Sequence, residues 1–385
     1  MDFDIIIIGS GLGGYNLVKE FRRLNTEASI LMICADDGRY YSKPMLSTGF
    51  AKNKSATDLM MKSADDMAAA FDITIYCSTT VEAIDKETRL LTVDSRPDAL
   101  CYEQALVFAT GAAPIDIPLP RALENRCFPI NDLQDYDRFR RKLGHRKHVT
   151  IIGSGLVGTE YSNDLIDSGM GVDVIALDNA PLQLLLPPPL SEAVQQQLAA
   201  KGINWHFNAS ISDATLTDGQ VQLTLSTGET IHTDQVLSAI GLRPRTTLAE
   251  QAGLTVNRGI VVDKTLRTNV DNIYALGDCA EIAGQVLMYV APLTVCAKAL
   301  AKTLTGTPTV VQMPAAPVIV KTPACPVVSN PARPDASGEW IYEGQAPDLK
   351  ATFVSKNGAL LGFALTGKKV VERMKLAKQL PALIN

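Results

Sequence analysis

Residues 3–15 read FDIIIIGSGLGGY, and residues 149–160 read VTIIGSGLVGTE. Each stretch is an apolar run, a glycine-rich turn and the start of an amphipathic segment. Ile5 to Ile8 have the unbroken hydrophobicity of a strand buried on both faces of a parallel sheet. After the first turn, Leu17, Val18, Phe21 and Leu24 fall on one helical face; after the second, Val157, Tyr161 and Leu165 recur every four residues. The runs SILMIC (29–34) and VDVIAL (172–177) give each unit a second strand. The chain therefore carries the same βαβ unit twice, the second beginning at Gly153 where the first begins at Gly9.

The glycine spacing says what the turns are for. In Gly9, Gly11 and Gly14, the first glycine permits a tight turn and the second lets the backbone approach a pyrophosphate. The third lets helix and strand pack closely, with the helix N-terminus holding negative charge. Gly153, Gly155 and Gly158 repeat the pattern. An acid at the end of the second strand binds a ribose hydroxyl in such units. In the second unit it is Asp178, followed by Asn179 and not by arginine, which favours the free 2′-hydroxyl of NADH over the 2′-phosphate of NADPH. In the first unit the count reaches Cys34, and Asp36, in the turn ADDG, is the candidate. Two dinucleotide sites call for two dinucleotides. A flavin and a nicotinamide form the pair between which a hydride passes.

The rest of the chain fits an α/β protein. VEAIDKETRLLTV (81–93) reads as two strands about a polar turn, and LTDGQVQLTLSTGETI (216–231) as a meander turning at Asp218-Gly219. ALVFATGAAP, QVLSAIGLRPRT and NIYALGDCAE are strands that run into glycine loops, and a Pro-led helix starts near Pro292. Past Thr305 proline becomes dense. Short strands follow, with an Asn357-Gly358 hairpin turn, and then a basic helix.

Composition excludes several classes. Of 385 residues, 36 are basic and 41 acidic, so there is no excess of positive charge for nucleic acid. No apolar run reaches the roughly 18 residues of a membrane span, and the N-terminus lacks the basic start of a signal peptide. A cytoplasmic location is expected. The seven cysteines are widely spaced, without a CxxC pair or a zinc pattern. His145 and His148, in GHRKHV, read as solvated, and no metal site is expected.

GSGLGG, ATGAAP, GSGLVGTE, AIGLRPR and NIYALGDCAE stand in the order found in FAD-dependent pyridine nucleotide-disulfide oxidoreductases, and over residues 1–310 the chain resembles that family. ICADDGRYYSKPMLS and the tail VIVKTPACPV…LLGFALTGKK extend the likeness to its members that reduce rubredoxin or flavorubredoxin. The resemblance implies two Rossmann-like dinucleotide-binding domains, for FAD and NAD, plus a small C-terminal α+β domain over the flavin. The FAD domain would be discontinuous, residues 1–110 and 236–315; residues 111–235 would bind NAD, and 316–385 would form the third domain.

It further implies that Val81, Thr110 and Gly111 contact FAD and that Asp278 binds its ribityl hydroxyls. Lys321 would approach the pyrimidine edge of the ring. Disulfide reductases of the family carry a cysteine pair just before a lysine. Here YYSKPMLS (40–47) keeps Lys43 and has no cysteine. Lys43 would pair with Glu160 beside the flavin, stabilising charge as hydride arrives. Cys279, in GDC, has no partner cysteine nearby and reads as a plain thiol. Without a disulfide, electrons would leave the flavin singly for rubredoxin, a small acidic iron protein. Lys368, Lys369, Arg373, Lys375 and Lys378 of the tail could steer it electrostatically. The alternatives are a ferredoxin or flavorubredoxin reductase, a reductase of peroxide or quinone, and a slow NADH/FAD-binding interaction protein of apoptosis-inducing-factor type.

Overall fold

The computed structural model describes residues 1–217 and 219–384. The first glycine unit sits at the centre of a seven-stranded sheet. Strand Asp2–Ile8 lies between Ile30–Ile33 and Arg96–Phe108, parallel to both, with Ile5 opposite Ile30 and Ala105. All four isoleucines of the run are buried, as a strand covered on both faces requires. Helix Leu12–Arg22 follows the turn and packs against helix Val290–Leu304, from the far end of the domain. Strand Ile273–Ala275 returns to the same sheet beside Arg96–Phe108, so the first domain is discontinuous. Leu24 does not join the helical face: the helix ends at Arg22, and Leu24 is 53% exposed.

The second unit sits in a five-stranded parallel sheet of Cys127–Pro129, Gln235–Ser238, His148–Ile152, Gly171–Ala176 and Ile203–Phe207, in that order. Gln235–Ser238 is thus an inner strand of the second domain, not the start of the returning segment. The chain crosses between the domains at Ala112–Pro114 and again at Leu242–Pro244, and these two crossings pair antiparallel, Ala113 opposite Arg243. The return therefore lies beyond residue 236, where the sequence placed it. A three-stranded meander, Ile211–Thr217, Gln220–Leu225 and Thr230–Thr233, completes this domain. Asp218 of the expected turn lies outside the described residues.

The third domain is a five-stranded antiparallel sheet. The Asn357-Gly358 turn joins Asp348–Val354 to Leu360–Thr366, as expected. Its apolar face merges with the core of the second domain: Val320, Val327, Ala351 and Ala364 pack with Leu190, Val194 and Leu198. The chain ends in a 3-10 segment, Gly367–Glu372, and the short helix Arg373–Ala377. Among the described residues, no helix is long and apolar enough to cross a membrane.

Candidate active site

One cavity of about 1450 Å³ runs through the meeting place of the three domains. Its wall gathers residues more than 300 positions apart in sequence, from Gly9 to Lys321.

One end is built by the first glycine turn. Gly9 has φ +118°, and a Cβ there would collide with the Ala109 carbonyl; a Cβ on Gly14 would collide with the carbonyl of Gly9. A Cβ on Gly11 would meet nothing within 4 Å. Gly9 and Gly14 are therefore needed for chain packing, whereas Gly11 keeps clear a space that protein does not fill. The second unit repeats this: Gly153 and Gly158 are blocked by backbone, and Gly155 faces open space. Both acids are anchored alike. Ser10 donates to Asp36 at 2.8 Å, and Ser154 donates to Asp178 at 3.0 Å. The Gly38 N–H also donates to Asp36 at 3.0 Å, while the Gln183 amide donates to Asp178. The serines lie in the glycine motifs themselves, GSG in each, and comparing the two repeats would have singled them out.

Cleared backbone, a helix N-terminus and an oriented carboxylate form a fitting cradle for a dinucleotide, here twice. Asp36, Val81, Thr110, Gly111 and Asp278 all line the cavity. Thr110 and Gly111 are fastened to the return crossing: the Thr110 hydroxyl donates to the Arg245 carbonyl at 3.1 Å, and the Arg245 N–H donates to that of Gly111. Cys279 is fully buried, its thiol against the carbonyls of Phe108 and Leu276, and all seven cysteines are free. Among the described residues Cys279 forms no disulfide.

At the other end, the expected Lys43–Glu160 ion pair does not form. Glu160 is 3% exposed, and its partner is Lys321. The Lys321 ammonium reaches Oε2 at 2.5 Å, and the Lys321 backbone N–H donates to Oε1 at 3.0 Å. The Ser47 hydroxyl also donates to Oε2, at 2.7 Å. Two turns of helix Leu156–Asp167 join the three domains. Glu160 binds Ser47 and Lys321, Asn163 accepts the Ala324 N–H, and Asp164 accepts the N–H groups of Phe50 and Ala51.

Lys43 instead donates to the side-chain carbonyl of Asn131 at 2.8 Å. Burial pushes its pKa down, opposed mainly by the charge of Asp278. Asp278 is pushed up by burial and held back by Lys43. Val157, 40% exposed despite its place in the apolar spacing, opens onto the cavity beside Glu160. Sequence reasoning missed Asn131 and Ser47, since neither residue type carries a motif.

His148 is not simply solvated. Its Nε2 lies 2.9 Å from Asp173, which also meets Nε2 of His206 at 2.7 Å, and His206 Nδ1 meets Glu229 at 2.9 Å. Among the described residues no cluster could hold a metal ion.

Gly153, Gly155, Gly158 and Asp178 lie outside the cavity wall, which the second unit reaches only through Leu156, Val157, Glu160 and Tyr161 of its helix. Two dinucleotide cradles, one lining the cavity and one at the start of a helix that enters it, define a hydride-transfer flavoprotein. Residues 3–301 match the pyridine nucleotide-disulphide oxidoreductase family, and the chain belongs to it. Residues 310–380 match the family of rubredoxin binding C-terminal domains. The chain is 47% identical to a rubredoxin-NAD(+) reductase of Alcanivorax borkumensis, with 99% of each covered. It is 40% identical to one of Acinetobacter baylyi, over 99% of this chain and 98% of that one. A nitric oxide reductase FlRd-NAD(+) reductase of Vibrio vulnificus is 35% identical over the whole of both. Among solved structures, the NADH:rubredoxin oxidoreductase of Clostridium acetobutylicum superposes with a TM-score of 0.82 at 22% identity, covering 100% of this chain and 97% of that one. Putidaredoxin reductase, in its covalent complex with putidaredoxin, gives 0.87 at 23% identity, covering 98% and 94%. These two show the fold. The chain is an NADH-dependent flavoprotein oxidoreductase, with FAD and NADH as its cofactors.

Proposed function

We propose that this chain oxidises NADH and reduces rubredoxin. The observation that carries the reading is the segment beside Glu160. Residues 40–48 supply Lys43 and Ser47 to the cavity and contain no cysteine, while the third domain matches rubredoxin binding domains. The chemistry that bound FAD supplies is acceptance of a hydride and release of its electrons one at a time.

The protein's part is orientation and charge. Gly9, Gly11 and Gly14 with Asp36 seat the FAD nucleotide, Val81, Thr110 and Gly111 flank it, and Asp278 meets the chain that leads to the ring. Gly153, Gly155 and Gly158 with Asp178 would hold NADH, and the helix they open carries Glu160 into the cavity. Lys43 would stabilise negative charge on the ring, while Lys321, its charge shared with Glu160, would stand at the ring's edge. The Glu160 carboxylate fixes Lys321.

On the third domain Lys368, Val371, Met374, Lys375 and Lys378 are exposed at helical spacing. This basic stripe with an apolar middle suits encounter with a small acidic protein. Free thiols throughout accord with a reducing compartment, and we assign the enzyme to the cytoplasm. NADH oxidation measured with a panel of purified acceptors tests the reading. Rubredoxin should be turned over faster than ferredoxin, flavorubredoxin, quinone or peroxide; preference for any of these would contradict it.

A further inference from the structure

Asn131 is buried in the wall between the first two domains, just before helix Leu133–Leu143. Nothing in the sequence marks it. Three contacts hold it: its backbone N–H donates to the Asp135 carboxylate at 3.0 Å, its amide nitrogen donates to the Ala112 carbonyl at 3.0 Å, and its amide oxygen accepts from the Lys43 ammonium at 2.8 Å. Only one orientation of the amide satisfies both neighbours. An ammonium can only donate and a peptide carbonyl can only accept, so the oxygen must face Lys43. The side chain is thereby locked, with Ala112 in the crossing strand behind it.

What Asn131 lacks is charge. The resemblance to disulfide reductases implies a carboxylate on Lys43, but the available carboxylate, Glu160, is taken by Lys321 and Ser47. A carboxylate in hydrogen-bond contact would hold the lysine in place but cancel much of its field. A neutral carbonyl holds it and leaves the field intact. We propose that Asn131 is a positioning residue that aims the Lys43 ammonium at the flavin ring without neutralising it. The inference rests on the reading that the ring lies in the cavity between Lys43 and Glu160.

The charged groups about Lys43 are Asp278 on the glycine loop, Asp132 and Asp135 at the start of the neighbouring helix, and Arg245 on the return crossing. None of the four makes a direct hydrogen bond to its ammonium, so Asn131 is the contact through which its position can be tuned.

Asn131→Asp and Asn131→Ala separate this role from plain packing, because they act on Lys43 with opposite sign. Both are compared with wild type and Lys43→Ala as FAD-loaded enzymes. The readouts are the flavin midpoint potential and the pH profile of flavin reduction by NADH in stopped flow. Asn131→Asp keeps the shape, adds a negative charge and gives up the donor to the Ala112 carbonyl. It should lower the midpoint potential and move the alkaline limb, where Lys43 loses its proton, to higher pH. Asn131→Ala removes the acceptor. It should slow flavin reduction roughly tenfold and move the same limb to lower pH. Limbs that shift together, or not at all, would overturn the proposal while leaving Lys43 at the ring if Lys43→Ala is impaired. If Lys43→Ala reduces its flavin at the wild-type rate, the placement of the ring beside Lys43 falls, and the proposal with it.

Discussion

Glu160 and Lys321 meet at 2.5 Å across the boundary between the second and third domains. The carboxylate is almost fully enclosed, and the lysine retains 28% of its side-chain exposure. The pair joins helix Leu156–Asp167 to the segment that follows strand Val318–Val320 in the cavity wall, and Ser47 ties in the first domain.

Breaking this pair should cost stability, because Glu160 would keep its charge with one partner fewer. We expect Lys321→Met to lower the urea-unfolding free energy of the FAD-loaded enzyme by about 2 kcal/mol. The double variant Glu160→Met/Lys321→Met should recover part of it, since no orphaned charge remains. If the single and double variants were equally destabilised, the loss would come from packing and not from a stranded carboxylate.

The glycines of one motif should separate by role. Gly14→Ala drives a Cβ into the Gly9 carbonyl and should prevent folding of the first domain. Gly11→Ala meets no protein atom, and should give a folded chain, by circular dichroism, that has lost most of its flavin absorbance. Gly155→Ala should keep FAD and weaken NADH binding. A Gly11→Ala enzyme with full flavin content would argue against a pyrophosphate at that turn.

Asp178 is anchored by Ser154 and Gln183, and the proposed NADH site gives it control of the nicotinamide preference. Removing the acid and adding a cation, in Asp178→Ala/Asn179→Arg, should reduce kcat/KM for NADH by roughly 10–100-fold and raise it for NADPH. Steady-state assays with both nucleotides decide this. An unchanged preference would mean that the ribose binds elsewhere.

The Asp173–His206 contact predicts a pH-dependent stability. Hydrogen bonds to Asp173 and then Glu229 raise the His206 pKa, although burial opposes them. The Asp173 pKa is lowered despite burial, by hydrogen bonds from His148 and His206. A raised histidine stabilises the fold fully below its unfolded pKa, about 6.5, and that stabilisation is lost as pH rises through the folded value. A lowered aspartate stabilises fully above its unfolded pKa, about 3.9, and loses this as pH falls. The Tm gap between wild type and His206→Gln should therefore be widest between about pH 4 and 6.5 and narrow on the alkaline side. A gap independent of pH would show that the ring only fills space.

The double βαβ unit was readable because its signal is local: strand, glycine turn and helix occupy about thirty adjacent residues. Asp178 falls at the expected spacing for the same reason, whereas in the first unit the count falls on Cys34 and Asp36 lies in the turn beyond strand Ile30–Ile33. The ion pairing was not readable. Lys43 and Asn131 are 88 positions apart, and Glu160 and Lys321 are 161 apart. Spacing cannot tell which of two lysines reaches one carboxylate when three domains converge. The misplaced return at 236 has a similar cause. A buried parallel strand looks the same in either sheet, and only its pairing with Cys127–Pro129 and His148–Ile152 assigns Gln235–Ser238 to the second.

On this reading NADH electrons leave the flavin for rubredoxin without passing through a disulfide. Cytochrome c reduction by NADH, followed as rubredoxin is added to the FAD-loaded enzyme, tests it most directly. The rate should be near zero without rubredoxin and rise in proportion to it at low concentration. A rate that rubredoxin does not change, or a flavin that stays reduced in the presence of oxidised rubredoxin, would contradict it.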